Sequence, residues 1–353
     1  MISKFKFFLL FFIILISCYT PIEPLPEIDC WWKEHNYTGE ISGRYSTRMC
    51  HINDEGTKII IFGGALITIP NYNAVWYDET WEYDVINKIW TEYNLEETKP
   101  VERTSTAMVY IGNNKIVMFG GNHYNEVPQL SDTWEYDINT HTWEEIEVTN
   151  GIKPEGRTYH CMAYAGGGKA ILFGGQNWHD FKDYYLNDTW EYDSNTHTWT
   201  EIEVTGGIKP PERADFSMAY VGNGKIVLFG GQKFLEGKKD TWEYDIATQT
   251  WTEIEEDRLP YCAFQSMAYL GGDKVVMFGG DTSEEANSNK AYIYNSTTHS
   301  WSKCNVKSTT TPPGRDNHTM AYAGDNKAII FGGYGGSMTY LNDVWEFSLA
   351  DEE

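Results

Sequence analysis

Five arginines recur at one place in a repeating pattern. Arg44, Arg103, Arg157, Arg213 and Arg315 each stand five residues before a methionine. Guanidinium groups gathered at a channel mouth would suit an anion such as a carboxylated sugar, because their planar forks bind carboxylates two bonds at a time. The chain also offers each arginine a carboxylate of its own. Asp132, Asp188, Asp240 and Asp343 precede a tryptophan by two residues, and Glu79 does so before Trp81. Where the arginine position holds Cys262, the acid position holds Lys290, so one repeat loses both partners. Joint loss favours framework ion pairs over an open anion site.

Histidines divide in a similar way. His141, His197 and His299 each sit two residues before a tryptophan and read as turn residues. His123, His160, His179 and His318 come from different repeats without ligand spacing, so no metal and no cofactor are expected. Aromatic residues collect in the segments that do not repeat. These are Tyr72, Trp76 and Tyr77, then His123 and Tyr124, then Trp178, His179, Phe181, Tyr184 and Tyr185. Exposed aromatics on irregular loops over a rigid scaffold make a recognition surface. The alternative is that the loops pack on one another.

The elements that position these residues repeat every fifty residues or so. Phe-Gly-Gly begins at Phe62, Phe119, Phe173, Phe229, Phe278 and Phe331. Ten residues before each of the last five Gly-Gly pairs is a tyrosine closing Met-x-Tyr. Trp-Glu-Tyr or a relative follows at Trp81, Trp134, Trp190, Trp242, Tyr292 and Trp345, and nine residues after each of the first five comes a second tryptophan. Each unit reads as four strands, a to d, with turn residues between a and b and between c and d. The acids of strands c and d are expected to face water.

This combined pattern resembles kelch repeats over about Cys30 to Leu349. The resemblance implies an all-β, six-bladed kelch-type β-propeller. A position nine residues after Trp345 falls beyond Glu353, so the sixth unit lacks strand d, while Trp31-Trp32 has no preceding a, b or c. The segment around Trp31 is therefore expected to serve as strand d of the last blade, removing the ring's free edge.

Composition sets the remaining bounds. A net charge of −24 excludes non-specific nucleic-acid binding and electrostatic docking on anionic lipid. Lys4, Lys6 and the apolar run Phe7–Ile16 have the layout of a signal peptide, too short to span a membrane. Leu15-Ile16-Ser17-Cys18 resembles a bacterial lipobox, which implies lipidation of Cys18 and an address in the cell envelope; Tyr19, rather than Asp, points by analogy to the outer membrane. Residues 1–17 are read as the signal, 18–29 as a proline-rich tether and 30–353 as the propeller. Cys30, Cys50, Cys161, Cys262 and Cys304 are read as mostly buried small hydrophobes.

The function expected is that of a monomeric, lipid-anchored interaction module for a protein or glycan ligand. By the resemblance, the catalytic alternative is a sialic-acid mutarotase using a channel Arg with a carboxylate as general acid or base. A copper radical oxidase would need two Tyr, two His and a Tyr–Cys crosslink, and the adjacency of Tyr261 and Cys262 supplies no such set. A structural envelope lipoprotein is the third possibility.

Overall fold

The computed structural model describes residues 23–349 except 53–54, 69–72, 96–97, 124–128, 180–181 and 205–206. The signal segment 1–17, Cys18, Tyr72, Tyr124 and Phe181 lie outside the described residues. The fold is all-β with a propeller-like arrangement of sheets.

Four repeats each form an antiparallel four-stranded sheet in the order a-b-c-d. The first contains Arg48–His51, Lys58–Phe62, Thr80–Asp84 and Ile89–Tyr93. The second contains Ala107–Gly112, Lys115–Phe119, Thr133–Asp137 and Thr142–Glu145. The third contains Cys161–Gly166, Lys169–His179, Lys182–Asp193 and Thr198–Glu201, and the fourth Ser217–Tyr220, Lys225–Phe229, Thr241–Asp245 and Thr250–Ile254.

The last two repeats share an eight-stranded sheet. Ser266–Gly271, Lys274–Phe278, Ala291–Asn295 and Ser300–Val306 lie on one side of Glu27–Glu34; Val344–Ser348, Lys327–Phe331 and Thr319–Tyr322 lie on the other. Glu27–Cys30 runs parallel to Lys303–Val306, and Trp31–Glu34 runs antiparallel to Trp345–Ser348. Glu27, Ile28 and Asp29, read from sequence as tether, are thus paired in this sheet, and Leu25 packs on the core. A proline-rich stretch has the extended backbone to follow an edge, and burial of Leu25 and Ile28 favours its doing so.

Strand b is buried along nearly its whole length because neighbouring sheets cover both faces. Strand d lies outside and alternates a buried Trp with exposed Thr and Glu. Strand c departs from the expected solvated wall. Glu82, Glu135, Glu243 and Glu346 are buried and pair with Lys58, Lys115, Lys225 and Lys327 of strand b at 2.5, 2.5, 2.9 and 3.6 Å. The acid stays inside because its counter-ion is one strand away.

Aromatic contacts link each sheet to the next. The Phe of each Phe-Gly-Gly meets a strand-d Trp of the following sheet: Phe62–Trp143, Phe119–Trp199, Phe173–Trp251 and Phe229–Trp301, with ring centroids 5.1–5.2 Å apart. Phe278–Trp32 at 4.9 Å and Phe331–Trp90 at 5.1 Å continue the series. Trp143, Trp199, Trp251 and Trp301 also donate Nε1–H to Thr80, Thr133, Thr189 and Thr241 of the preceding sheet. Ala291 and Val344 replace that threonine, and the indoles facing them, Trp32 and Trp90, find no Nε1 acceptor among the described residues.

The buried tryptophan of the first strand is Trp32, opposite Phe347, whereas Trp31 lies opposite Ser348. Sequence pointed to the segment around Trp31 without choosing between its two tryptophans, and in a strand one residue exchanges faces.

At the inner end of each strand a, one backbone group holds the next. Ser105 N donates to Ser46 O, Tyr159 to Ser105, Asp215 to Tyr159, Phe264 to Asp215, Asn317 to Phe264 and Ser46 to Asn317, at 2.9–3.2 Å. All six residues have positive φ, between 50° and 61°. The strain, uncommon for non-glycine residues, is offset by a hydrogen-bonded cycle that returns to its starting residue.

Candidate functional site

The five repeated arginines belong to the framework. Arg103 Nε donates to Val101 O at 3.1 Å and Nη1 to Gly120 O at 3.0 Å. Its Nη1 and Nη2 also grip Asp132 at 2.8 and 2.7 Å, and Asp132 accepts Trp134 Nε1–H at 2.7 Å. Arg157, Arg213 and Arg315 make the same two-toothed pair with Asp188, Asp240 and Asp343. Arg44 uses one tooth on Glu79 at 2.8 Å and lies 3.9 Å over the Tyr77 ring.

All five guanidiniums are buried, so none is open to a ligand. Burial alone would raise Asp132, Asp188 and Asp240, but arginine hydrogen bonds and charge hold them below the usual carboxylate range. In the fifth repeat Cys262 Sγ donates to Gly279 O at 3.3 Å, and Lys290 pairs with Glu284 and Glu285. Gly-Gly permits the close approach these contacts need. Gly230 has φ +70°, and a Cβ there would stand 2.3 Å from Cys262 O.

A cavity of about 170 Å³ lies between the innermost strands and is lined from all six repeats. The a–b turn end carries an aromatic collar. From Tyr110 through His51, Tyr322, Tyr269 and Tyr220 to Tyr164, successive ring centroids lie 5.4–5.8 Å apart. His160 and His318 lie edge-on to Phe119 and Phe278 in the wall. Burial, then the charges of Arg157 or Arg315 and of Arg48, pull both well below the ordinary histidine value. Among the described residues, no three His, Cys, Asp or Glu converge as a metal site.

Two cavity residues escaped the sequence reading. Arg48 occupies the position held by Ala107, Cys161, Ser217, Ser266 and Thr319 in the other repeats. Asp215 is a member of the hydrogen-bonded cycle, and its Oδ2 accepts from Gln232 Nε2 at 3.0 Å. Burial pushes its carboxyl up to about 7, against the opposing pull of Gln232 and Arg48. The available signal was a break in repeat identity, a large cation among small residues; attention to what recurs hid it.

The expected loop aromatics are carried on hairpins. Ala65–Thr68 pairs with Asn73–Trp76, and strands b and c of the third sheet continue past their Gly-Gly to pair Trp178 with Asp183 and His179 with Lys182. His179 stacks on Tyr184 at 4.0 Å, with Lys182 Nζ 5.0 Å over the same ring. Trp76 and Trp178 are half-buried, and His123 Nε2 lies 3.2 Å from Glu102. Tyr77 is committed to Arg44.

The most exposed apolar tip was missed. Between Gln232–Lys233 and Glu236–Gly237, Phe234 and Leu235 turn with φ of 49° and 68° and are 58% and 89% exposed. Such turns ordinarily take Asn-Gly, and the shortness of this segment gave no warning. Tyr185 braces Phe234 edge-on at 4.7 Å.

Comparison with known proteins agrees with the repeat pattern and the sheets it builds. The KLHDC2/KLHL20/DRC7 Kelch-repeats domain model matches residues 28–231 and 217–353. Human Kelch domain-containing protein 1 is 25% identical over 305 residues, covering 79% of this chain and 73% of that protein. Acyl-CoA-binding domain-containing protein 4 of Arabidopsis thaliana is 24% identical over 299 residues, 81% of this chain and 42% of its own length. N-(sulfonatooxy)prop-2-enimidothioate sulfolyase of Thlaspi arvense is 31% identical over 135 residues, 37% of this chain and 36% of that enzyme. With Phe-Gly-Gly, the paired arginines and acids, and the strand-d tryptophans all serving one recurring sheet, the chain belongs to the kelch-repeat family.

Proposed function

We propose that this chain is a six-bladed kelch propeller that binds a protein partner through the face bearing its b–c hairpins. The blade count is supported by the cycle of backbone hydrogen bonds through Ser46, Ser105, Tyr159, Asp215, Phe264 and Asn317. Closure is supported by Glu27–Glu34 standing in the place of strand d beside Val344–Ser348. Kelch domains generally mediate protein interactions. The observation that carries the choice of face is the Phe234–Leu235 tip, two large apolar residues held in water by a backbone shape that disfavours them. A strained, exposed apolar turn costs stability and is explained by a contact made elsewhere.

The catalytic alternative loses the five repeated guanidiniums, each already held by a framework acid. A glycan ligand would draw instead on stacked rings such as His179 and Tyr184.

Replacing Phe234 with Asn and Leu235 with Gly separates stability from binding. The variant should melt at or above the temperature of the parent, since the turn is relaxed. It should lose about ten-fold or more in affinity for the partner. Measured against protein and glycan arrays, unchanged capture of a protein ligand refutes the proposed face, and selective capture of glycans refutes a protein partner.

We further propose export and anchoring as a monomer through lipidated Cys18, supported by the Lys4 and Lys6 start, the apolar run and the lipobox-like Leu15–Cys18. The intact mass of the mature protein should include an acylated Cys18; an unmodified N-terminus at another residue contradicts this.

A further inference from the structure

We propose that Arg48 is the anion-binding group of a site inside the central channel, and that this site takes a small monocarboxylate. The site is separate from the hairpin face, so the proposal stands or falls without the partner-binding reading.

The position is otherwise built for small side chains that stitch neighbouring strands. Thr319 Oγ1 accepts from Met49 N at 2.9 Å, Cys161 Sγ donates to Phe216 O at 3.1 Å, and Ser217 Oγ donates to Gln265 O at 2.6 Å. Arg48 gives up that role. Its guanidinium donates to Thr47 O at 3.1 Å, and no carboxylate lies within ion-pair distance among the described residues. This contrasts with the five framework arginines, each of which has its own acid. Burial draws Arg48 down from the ordinary guanidinium value, yet an arginine remains a cation. Arg48 is half-buried in the cavity wall, a cation with no acid of its own and therefore open to an anion that enters the channel.

Cavity size and lining define what can complete it. About 170 Å³ is the volume of roughly five or six waters, room for a short organic acid. Tyr159 and Asn317 add polar groups to the lining, while Ala163, Ala219 and Ala268 supply apolar wall. The guanidinium fork matches a carboxylate. One positive charge beside Asp215 suits a monoanion better than a dianion.

Asp215 makes the site sensitive to pH. The groups that influence its carboxyl are Arg48 and Gln232; Tyr159, Tyr185 and Cys161 feel its charge in turn. His160 and His318, also within reach of Arg48, are held well below the ordinary histidine value, first by burial. Below its raised titration point Asp215 is uncharged and Arg48 is uncompensated. Above that point the carboxylate screens Arg48 and repels an incoming anion. Affinity should therefore fall as pH rises, by up to about ten-fold between about pH 6 and pH 8.

Titration calorimetry of the full chain with butyrate, and with butyramide as the uncharged control, tests this. At pH 6 butyrate should bind one to one and butyramide should not. Arg48→Met should weaken butyrate binding by about ten-fold or more, and Asp215→Asn should remove the loss of affinity at pH 8. The proposal is overturned by any of three results: no saturable butyrate binding up to about 10 mM, equal binding of butyramide, or unaltered binding by a folded Arg48→Met. Should Arg48→Met not fold, the butyrate–butyramide comparison and the pH profile of Asp215→Asn decide the matter.

Discussion

Arg103→Ala is expected to lower the free energy of unfolding by about 3–5 kcal/mol, measured by equilibrium denaturation at neutral pH. The side chain is fully buried and its partner Asp132 has only a small part of its surface in water. Truncation leaves that carboxylate with Trp134 as its remaining side-chain donor and frees the Val101 and Gly120 carbonyls from their guanidinium bonds. The loss is mainly the cost of the orphaned charge rather than the net value of the pair, so Arg103→Leu with Asp132→Leu should cost less than Arg103→Ala alone. The pH dependence follows from the same pairs. Asp132, Asp188 and Asp240 lie below their unfolded values, so they stabilise the fold above the unfolded carboxylate range. That contribution is lost as pH falls through their folded values. An Arg103→Ala protein should accordingly show a shallower acid limb than its parent. Unfolding free energy changed by less than about 1 kcal/mol would mean the pair is no more than a surface salt bridge.

Trp32→Ala should cost a similar amount, about 3–5 kcal/mol, for a different reason. Trp32 is 3% exposed and wedged between Phe278 at 4.9 Å and Phe347 at 5.0 Å, one from each half of the eight-stranded sheet. Its loss empties the joint between the two ends of the chain. Trp31→Ala, on the half-exposed face of the same strand, should cost far less. Equal effects of the two substitutions would contradict the register.

Much of this architecture was legible because a repeated sequence reports its own controls. The pairing of Arg103 with Asp132 could be read from the repeat in which Cys262 and Lys290 replace both partners. Burial of strand-c acids could not be read so directly: Glu82 looks like an outward residue until half-exposed Lys58, on the adjoining strand, is seen to reach its buried carboxylate. Trp31 and Trp32 are adjacent and identical, so spacing alone could not choose the face, whereas packing against Phe278 does. Arg48 and Asp215 were obscured for the opposite reason. They depart from the repeat and meet in the cavity between the innermost strands, which a linear pattern does not display. Phe234 and Leu235 carry no glycine or asparagine to announce a left-handed turn.

Hydrogen exchange at single amides of Trp31, Lys33 and His35 addresses ring closure most directly, because Trp31 and Lys33 pair with Ser348 and Glu346 and His35 N donates to Val344 O at 2.9 Å, whereas the Trp32 amide turns away to Ser308 Oγ. In a closed ring their hydrogen-bonded amides open only with the whole fold and should share the protection of the Lys327–Phe331 core strand. Exchange through local opening at rates typical of a frayed terminus, with the core strand still protected, would mean that the first strand does not close the ring.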